Sequence, residues 1–230
     1  MDKPEIIYRD EYLVAINKPV DLPVHKNSHM PKDAPYLTKW GGQYFDSSVY
    51  NVHRLDAKTS GVVLMAFSSE IAGKLTQQFE RGLINKKYVT LVREFPGEKG
   101  LLDKPVMNKR KGKLVPAKTV FNTVRTIETD ITYKTFENIK LSLVELRPHT
   151  GKWHQLRQHM ALERNDIVGD NHHGDRTMNH IIEERTGIKR LMLHAQSLVF
   201  NHPITEQDVL LESDLPDDFN IMLELLQIGQ

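Results

Sequence analysis

Two segments between Thr119 and Pro148, TVFNTVRTI and KLSLVELRP, carry Thr, Val, Ile and Leu on every second place. A period of two marks a strand with one face buried. Two such runs close together in the chain read as an antiparallel pair, and this feature limits the possible folds more than any other. IIYRDEYLVAINKP adds two short apolar runs around a turn at Arg9-Asp10-Glu11, ended by Pro19. That is the pattern of a hairpin. VYNV, VVLMAF, KYVTLVREF and RLMLHAQSLVF read as further strands. Ser68-Ser69-Glu70 offers an N-cap to IAGKLTQQFERG, whose apolar positions fall at helical spacing before Gly82. WHQLRQHMALE, NHIIEERTG and DFNIMLELLQ are the other helical segments. Strands and helices intermix without regular βαβ alternation. The expected class is therefore α+β: one domain over residues 1–230, with a mixed, mainly antiparallel central sheet flanked by helices. Residues 20–48, rich in His, Pro and Gly, read as a long irregular segment.

Composition narrows the chemistry. The 230 residues are 39% hydrophobic and 27% charged, as expected of a globular protein. There is no cysteine, which excludes disulfides, thiolate catalysis and Cys-based zinc sites. The start, MDKPEIIYRD, has no apolar core of a signal peptide, and no apolar run approaches the length of a membrane span. A cytoplasmic protein without membrane contact is expected. Net charge is only +1, but its distribution is uneven. From Arg81 to Arg125 there are twelve Lys or Arg and three acids; from Pro203 to the end there are seven acids and no Lys or Arg. A neutral total can thus conceal a basic face that suits a polyanion; the plain alternative for NKRKGK is a solvated loop.

Asn51 to Gly61, NVHRLDAKTSG, lies between two strand-like runs. A turn alone does not need His53, Arg54, Asp56 and Lys58 together. Asp56 stands between two cations that favour its ionised form, which suits a nucleophile or base. The bland reading of Asp56 is a turn former. RPHTGKWHQLR, residues 147–157, reads as a strand end, a Thr-Gly turn and a helix start, and such a start can bind an anion. Thr150, Lys152, His154 and Arg157 gather there, with His154 and Arg157 three apart on one face. Tyr88 begins a strand behind Lys86 and Lys87; it is either half-buried packing or a platform for a base. GDNHHGD places Asp170, His172, His173 and Asp175 within six residues. Adjacent side chains of an extended loop point apart and no helical ligand spacing is present, so no metal is expected. No phosphate-binding glycine motif occurs, so neither a nucleotide nor any other cofactor is expected.

HRLDAKTSG, KKYVTLVR, RPHTGKWHQLR and RLMLHAQSLVFNHP, in this order, resemble the RNA pseudouridine synthases of the RluA type. The likeness runs from IIYRDEYLVAINKP through Asn201-His202-Pro203. It implies the pseudouridine synthase fold, with Asp56 as the essential aspartate, Tyr88 stacked on the target base and Arg157 paired with the aspartate. It implies that Arg54 enters the RNA helix where the uridine leaves, with His53, Lys87, Thr150, Lys152 and His154 as substrate contacts. Lys152 stands where the family usually has Arg; it keeps the charge and loses the bidentate fork. No additional N-terminal RNA-binding domain is expected, and a monomer is the default. The 169–195 stretch most resembles a tRNA-specific branch acting at position sixty-five, so tRNA is the expected partner and rRNA the alternative. Two more distant readings stay open: an inactive RNA-binding protein of the same fold, and a metal-dependent hydrolase built on the 170–175 loop.

Overall fold

The computed structural model describes residues 4–26 and 30–227. They form two compact units, one from the start through Lys86 together with Ala195–Asp214, the other from Lys87–His194 together with the segment from Leu215 onward. Each unit has its own hydrophobic core.

In the first unit, β1 (Glu5–Arg9) and β2 (Leu13–Lys18) form the expected hairpin. The Asp10 carboxylate makes the turn, accepting from the N–H groups of Tyr12 at 2.7 Å and Leu13 at 2.9 Å. α1 (Leu37–Phe45) follows, then β3 (Tyr50–Asn51), β4 (Ser60–Ala66) and α2 (Ser69–Glu80). Ser68 caps α2 by accepting from the Ile71 N–H, as the sequence indicates. Strand order in this unit is β1-β2-β4-β11, where β11 is Leu193–Asn201, with β3 also on β4. All seven residues of β4 are buried, which explains why SGVVLMA is a continuous apolar run rather than an alternating one.

The second unit opens on β5, whose Asn85–Arg93 span starts in the first unit. β6 (Lys99–Leu102), β7 (Val106–Asn108) and β8 (Lys113–Val115) follow, then β9 (Thr119–Glu128) and β10 (Lys140–Pro148). β9 and β10 pair antiparallel from Thr119↔Pro148 to Glu128↔Lys140, as their alternation demands. Strand order here is β5-β10-β9-β6, and β7 and β8 form a separate hairpin. α3 (Gln155–Leu162) and α4 (Arg176–Thr186) come next, with α4 closed by Gly187 in the left-handed conformation. β11 (Leu193–Asn201) re-enters the first unit, where β12 (Asp208–Glu212) pairs with it; α5 (Asp217–Leu225) returns to the second core. The class is α+β with a mainly antiparallel sheet, as expected.

Three regions differ from the sequence reading. α1 lies inside the segment read as irregular; of that segment, residues 27–29 fall outside the described residues. Its Gly41-Gly42 pair and three aromatics depress helix propensity, and aromatic packing restores it. Trp40 stacks on Tyr44 with centroids 5.0 Å apart, and Phe45 meets Phe67 at 5.3 Å and the Arg9 guanidinium at 4.8 Å. The basic excursion after Gly97 contains β6 and a hairpin, and the acidic C-terminal region contains β12. These strands are three to five residues long, too short for a period to show in the sequence.

Candidate active site

The loop between β3 and β4 is the connection of an antiparallel pair in the first unit. Val52, Leu55 and Thr59 turn into the core, which leaves Arg54 exposed and Asp56 half-buried. The fully buried Lys18 holds the loop from beneath, Nζ donating to the carbonyls of Ala57 at 3.0 Å and Pro19 at 2.7 Å. The Thr59 N–H closes a turn on the Asp56 carbonyl at 3.0 Å. His53 serves the same frame. Its Nε2 accepts from the Leu64 N–H at 2.9 Å, and its ring stacks on Phe79 at 4.5 Å. Accepting through Nε2 requires the neutral ring. Burial, helped by Lys86, holds His53 in that state by lowering its pKa to about 3. His25 is lowered too, by burial and by the neighbouring Arg54.

In the second unit Tyr88 sits on β5 opposite Leu146 and packs against the core as a half-buried side chain. Lys87 Nζ lies 4.0 Å from Glu145 on β10. The turn from β10 into α3 is organised by Gln155, whose amide is fully used. Oε1 accepts from Thr150 Oγ1 at 2.7 Å and from the Lys152 N–H at 3.0 Å, and Nε2 donates to the Lys118 carbonyl and Thr119 Oγ1, each at 3.0 Å. Thr150 therefore has its hydroxyl engaged within the turn, while the Lys152 side chain is exposed.

His154 precedes α3 with φ of +50°, and its Nε2 lies 3.0 Å from Arg157 Nη1. The neighbours three apart do share a face. Arg157 is buried and makes a bidentate pair with Asp170, Nε to Oδ2 at 2.7 Å and Nη2 to Oδ1 at 2.8 Å. Burial pushes the Asp170 carboxyl up, but the Arg157 fork and the N–H groups of His172 and His173 outweigh it and hold the carboxyl at about 2. Gly169 lets this loop approach the backbone of Arg190: at φ of +79°, a Cβ there would lie 1.8 Å from the Arg190 carbonyl oxygen.

The 170–175 loop corrects one expectation. His172 and His173 do not point apart, since the loop is a turn wound on Asp170, not an extended strand. Asp170 Oδ1 accepts from both His N–H groups, at 2.9 and 3.1 Å. Their ring centroids lie 4.4 Å apart, and with His154 they form a cluster whose ligand-capable atoms all lie within 4.8 Å of one another. The sequence reading passed over Lys18, Gln155 and the Asp170 fork. A Lys or Gln gives no sign of burial in a sequence. The Asp170 partner lies thirteen residues from Arg157, across a turn that only the fold closes.

A family model described as RNA pseudouridylate synthase matches residues 12–162, a span that includes the Asp56 loop, Tyr88 and Arg157. The chain belongs to this family. Among its relatives is a tRNA pseudouridine synthase C of Yersinia pestis, 39% identical over 217 residues that cover 90% of this chain and 84% of that protein. A protein of the same name from Pasteurella multocida is 37% identical over 215 residues, covering 89% of this chain and 88% of the relative. Among solved structures, human RNA pseudouridylate synthase domain containing 4 superposes with a TM-score of 0.71 at 27% identity, covering 96% of this chain and 92% of that one. Human RNA pseudouridylate synthase domain containing 1 gives 0.72 at 23% identity, which supports the fold of this family member.

Proposed function

We propose that this pseudouridine synthase isomerises one uridine of tRNA, at position sixty-five beside the acceptor stem and T-arm, in the cytoplasm. The observation that carries the reading is the HRLDAKTSG loop: it keeps a carboxylate half-exposed on a backbone pinned by Lys18 and His53, in a chain whose relatives are named tRNA pseudouridine synthase C. The reaction breaks the bond from C1′ to N1 of uracil, rotates the base and joins C1′ to C5. The proton lost from C5 is balanced by one gained at N1, so no redox partner is required. The uridine must first leave its stack, at a cost of a few kcal/mol. Asp56 acts as nucleophile at C1′ or as base toward the ribose. Tyr88 stacks on the uracil, Arg157 supplies a fixed positive charge for the reaction, and Arg54 occupies the vacancy in the RNA helix. Lys87 and Lys152 contribute charge toward phosphate. His53, Thr150 and His154 shape the substrate-facing turns through the hydrogen bonds described above.

The test is direct. Unmodified tRNA transcripts and a 23S rRNA fragment are incubated with the protein and with Asp56→Asn, and pseudouridine is mapped by carbodiimide adducts and primer-extension stops. A stop at position sixty-five that needs Asp56 supports the whole reading. A stop in rRNA alone keeps the chemistry and replaces the substrate. Full turnover by Asp56→Asn removes Asp56 from the mechanism, and no stop with either RNA favours an RNA-binding protein of the same fold.

A further inference from the structure

We infer that His154 and His173 are positioning residues for Arg157, closing with Asp170 a four-membered ring of hydrogen bonds that fixes the plane of the guanidinium. The inference rests on the reading above, in which Arg157 serves the reaction. Every member of the ring lies in the second unit.

The direction of each bond follows from what the groups can do. A guanidinium only donates. Arg157 gives Nε–H and one Nη2–H to the Asp170 carboxylate, and Nη1–H to His154 Nε2. His154 Nε2 is therefore an unprotonated acceptor, and in the neutral ring the proton sits on Nδ1. Nδ1 lies 2.8 Å from His173 Nε2 and donates to it. His173 in turn is tied back to Asp170, whose Oδ1 accepts its backbone N–H at 3.1 Å. The circuit runs Asp170, Arg157, His154, His173 and back to Asp170.

Two further features serve this circuit. His154 occupies the left-handed region, which is unusual for a residue with a side chain, and this places its ring between Arg157 and His173. Trp153 stacks on that ring with centroids 3.9 Å apart and planes 18° from parallel, while Lys109 lies over Trp153 at 5.7 Å. Arg157, Asp170, His172 and Trp153 face the His pair, and Lys109 lies behind Trp153. Burial first, then Arg157, His173 and His172, hold the His154 pKa down to about 3 against the opposing pull of Asp170, so the ring is neutral, as the circuit requires.

The same geometry tells against a cation at the three histidines. A metal on His154 would need the Nδ1 lone pair. The proton would then move to Nε2, where it would face an Arg157 N–H, donor against donor.

A proton on His173 Nε2 would likewise face the His154 Nδ1–H and open the circuit. His173→Ala removes the acceptor; His173→Gln restores a side-chain oxygen that accepts and does not titrate. The expected result is a kcat for pseudouridine formation roughly 10- to 100-fold lower in His173→Ala, with KM for tRNA nearly unchanged. His173→Gln recovers most of the rate. Equal kcat in His173→Ala and the parent, or a loss carried by KM, overturns the inference. So does a parent rate that responds to EDTA or Zn²⁺ while that of His173→Ala does not, since that marks a metal site. The ring is also read without activity. Long-range ¹H–¹⁵N spectra of the imidazoles at neutral pH, assigned with His154→Gln, should show His154 as the Nδ1–H tautomer in the parent. An Nε2–H tautomer overturns the ring even if no RNA proves to be a substrate. An inactive parent with the expected tautomer removes only the functional reading.

Discussion

Lys18 shows how one residue outside the sequence signature supports the loop that carries it. Its ammonium is fully buried and meets the Ala57 and Pro19 carbonyls. Lys18→Met leaves both carbonyls without that donor, and urea unfolding should show a loss of about 2–4 kcal/mol; an unchanged midpoint would mean that water replaces the lysine. Gly61 adds a steric condition at the end of the same loop. At φ of +109°, a Cβ there would lie 2.2 Å from the Ala195 carbonyl oxygen. Gly61→Ala should therefore cost about 3 kcal/mol or more, or leave the protein insoluble. Asp56, Tyr88 and Arg157 are candidates the sequence offers because the motifs that hold them resemble those of the family. Lys18 and Gln155 are not, because burying a polar side chain depends on partners dozens of residues away, as Lys118 and Thr119 are from Gln155.

Among the elements, the β7–β8 hairpin draws most on support from beyond its own sequence. Each strand has three residues, and the turn carries Lys109, Arg110 and Lys111, with Lys113 beginning β8. Gln158 on α3 holds it, accepting from the Met107 N–H at 2.8 Å and donating to the Met107 and Trp153 carbonyls. His159 secures the adjoining segment. Its Nε2–H donates to the Lys104 carbonyl, so Nδ1 accepts from the Thr119 hydroxyl. A basic hairpin on such a base suits an RNA backbone. Replacing Lys109, Arg110, Lys111 and Lys113 with Ala should weaken tRNA binding. It should also reduce the slope of log K against log salt by about 0.7–0.9 for each phosphate that is no longer neutralised. An unchanged slope would assign the hairpin to the solvated-loop reading. Gln158→Ala should expose residues 105–116 to limited proteolysis while most of the fold persists. β9 and β10 were legible because ten and nine alternating residues give an unambiguous period. α1 was not, since its stability comes from Phe67 and Arg9, which belong to other segments.

For the molecule as a whole, the two units respond to acid by the same physics and can be followed separately. Each holds one of the two tryptophans, Trp40 in the first and Trp153 in the second, and among the described residues each holds one histidine whose pKa is lowered to about 3, His53 and His154. In the unfolded chain both imidazoles titrate near about 6.5. Between those values the unfolded chain binds more protons than the native one, so this contribution is complete above about pH 6.5 and declines as pH falls toward about 3. Urea titrations of Trp153→Phe and Trp40→Phe, read by fluorescence across that window, should both lose stability. His53→Gln should flatten the first unit's slope and His154→Gln the second's; slopes that these changes leave untouched would place the acid sensitivity elsewhere. The sequence by itself determined the α+β class, the antiparallel pairing of β9 with β10, the capped α2 and, through the residues of its motifs, the family. These depend on local period, local capping and residue types set close together. Only the tertiary structure decided the two separate cores, the helix at Leu37–Phe45 and the ring around Arg157. Burial and long-range hydrogen bonds are properties of which segments meet, and no local pattern encodes that meeting.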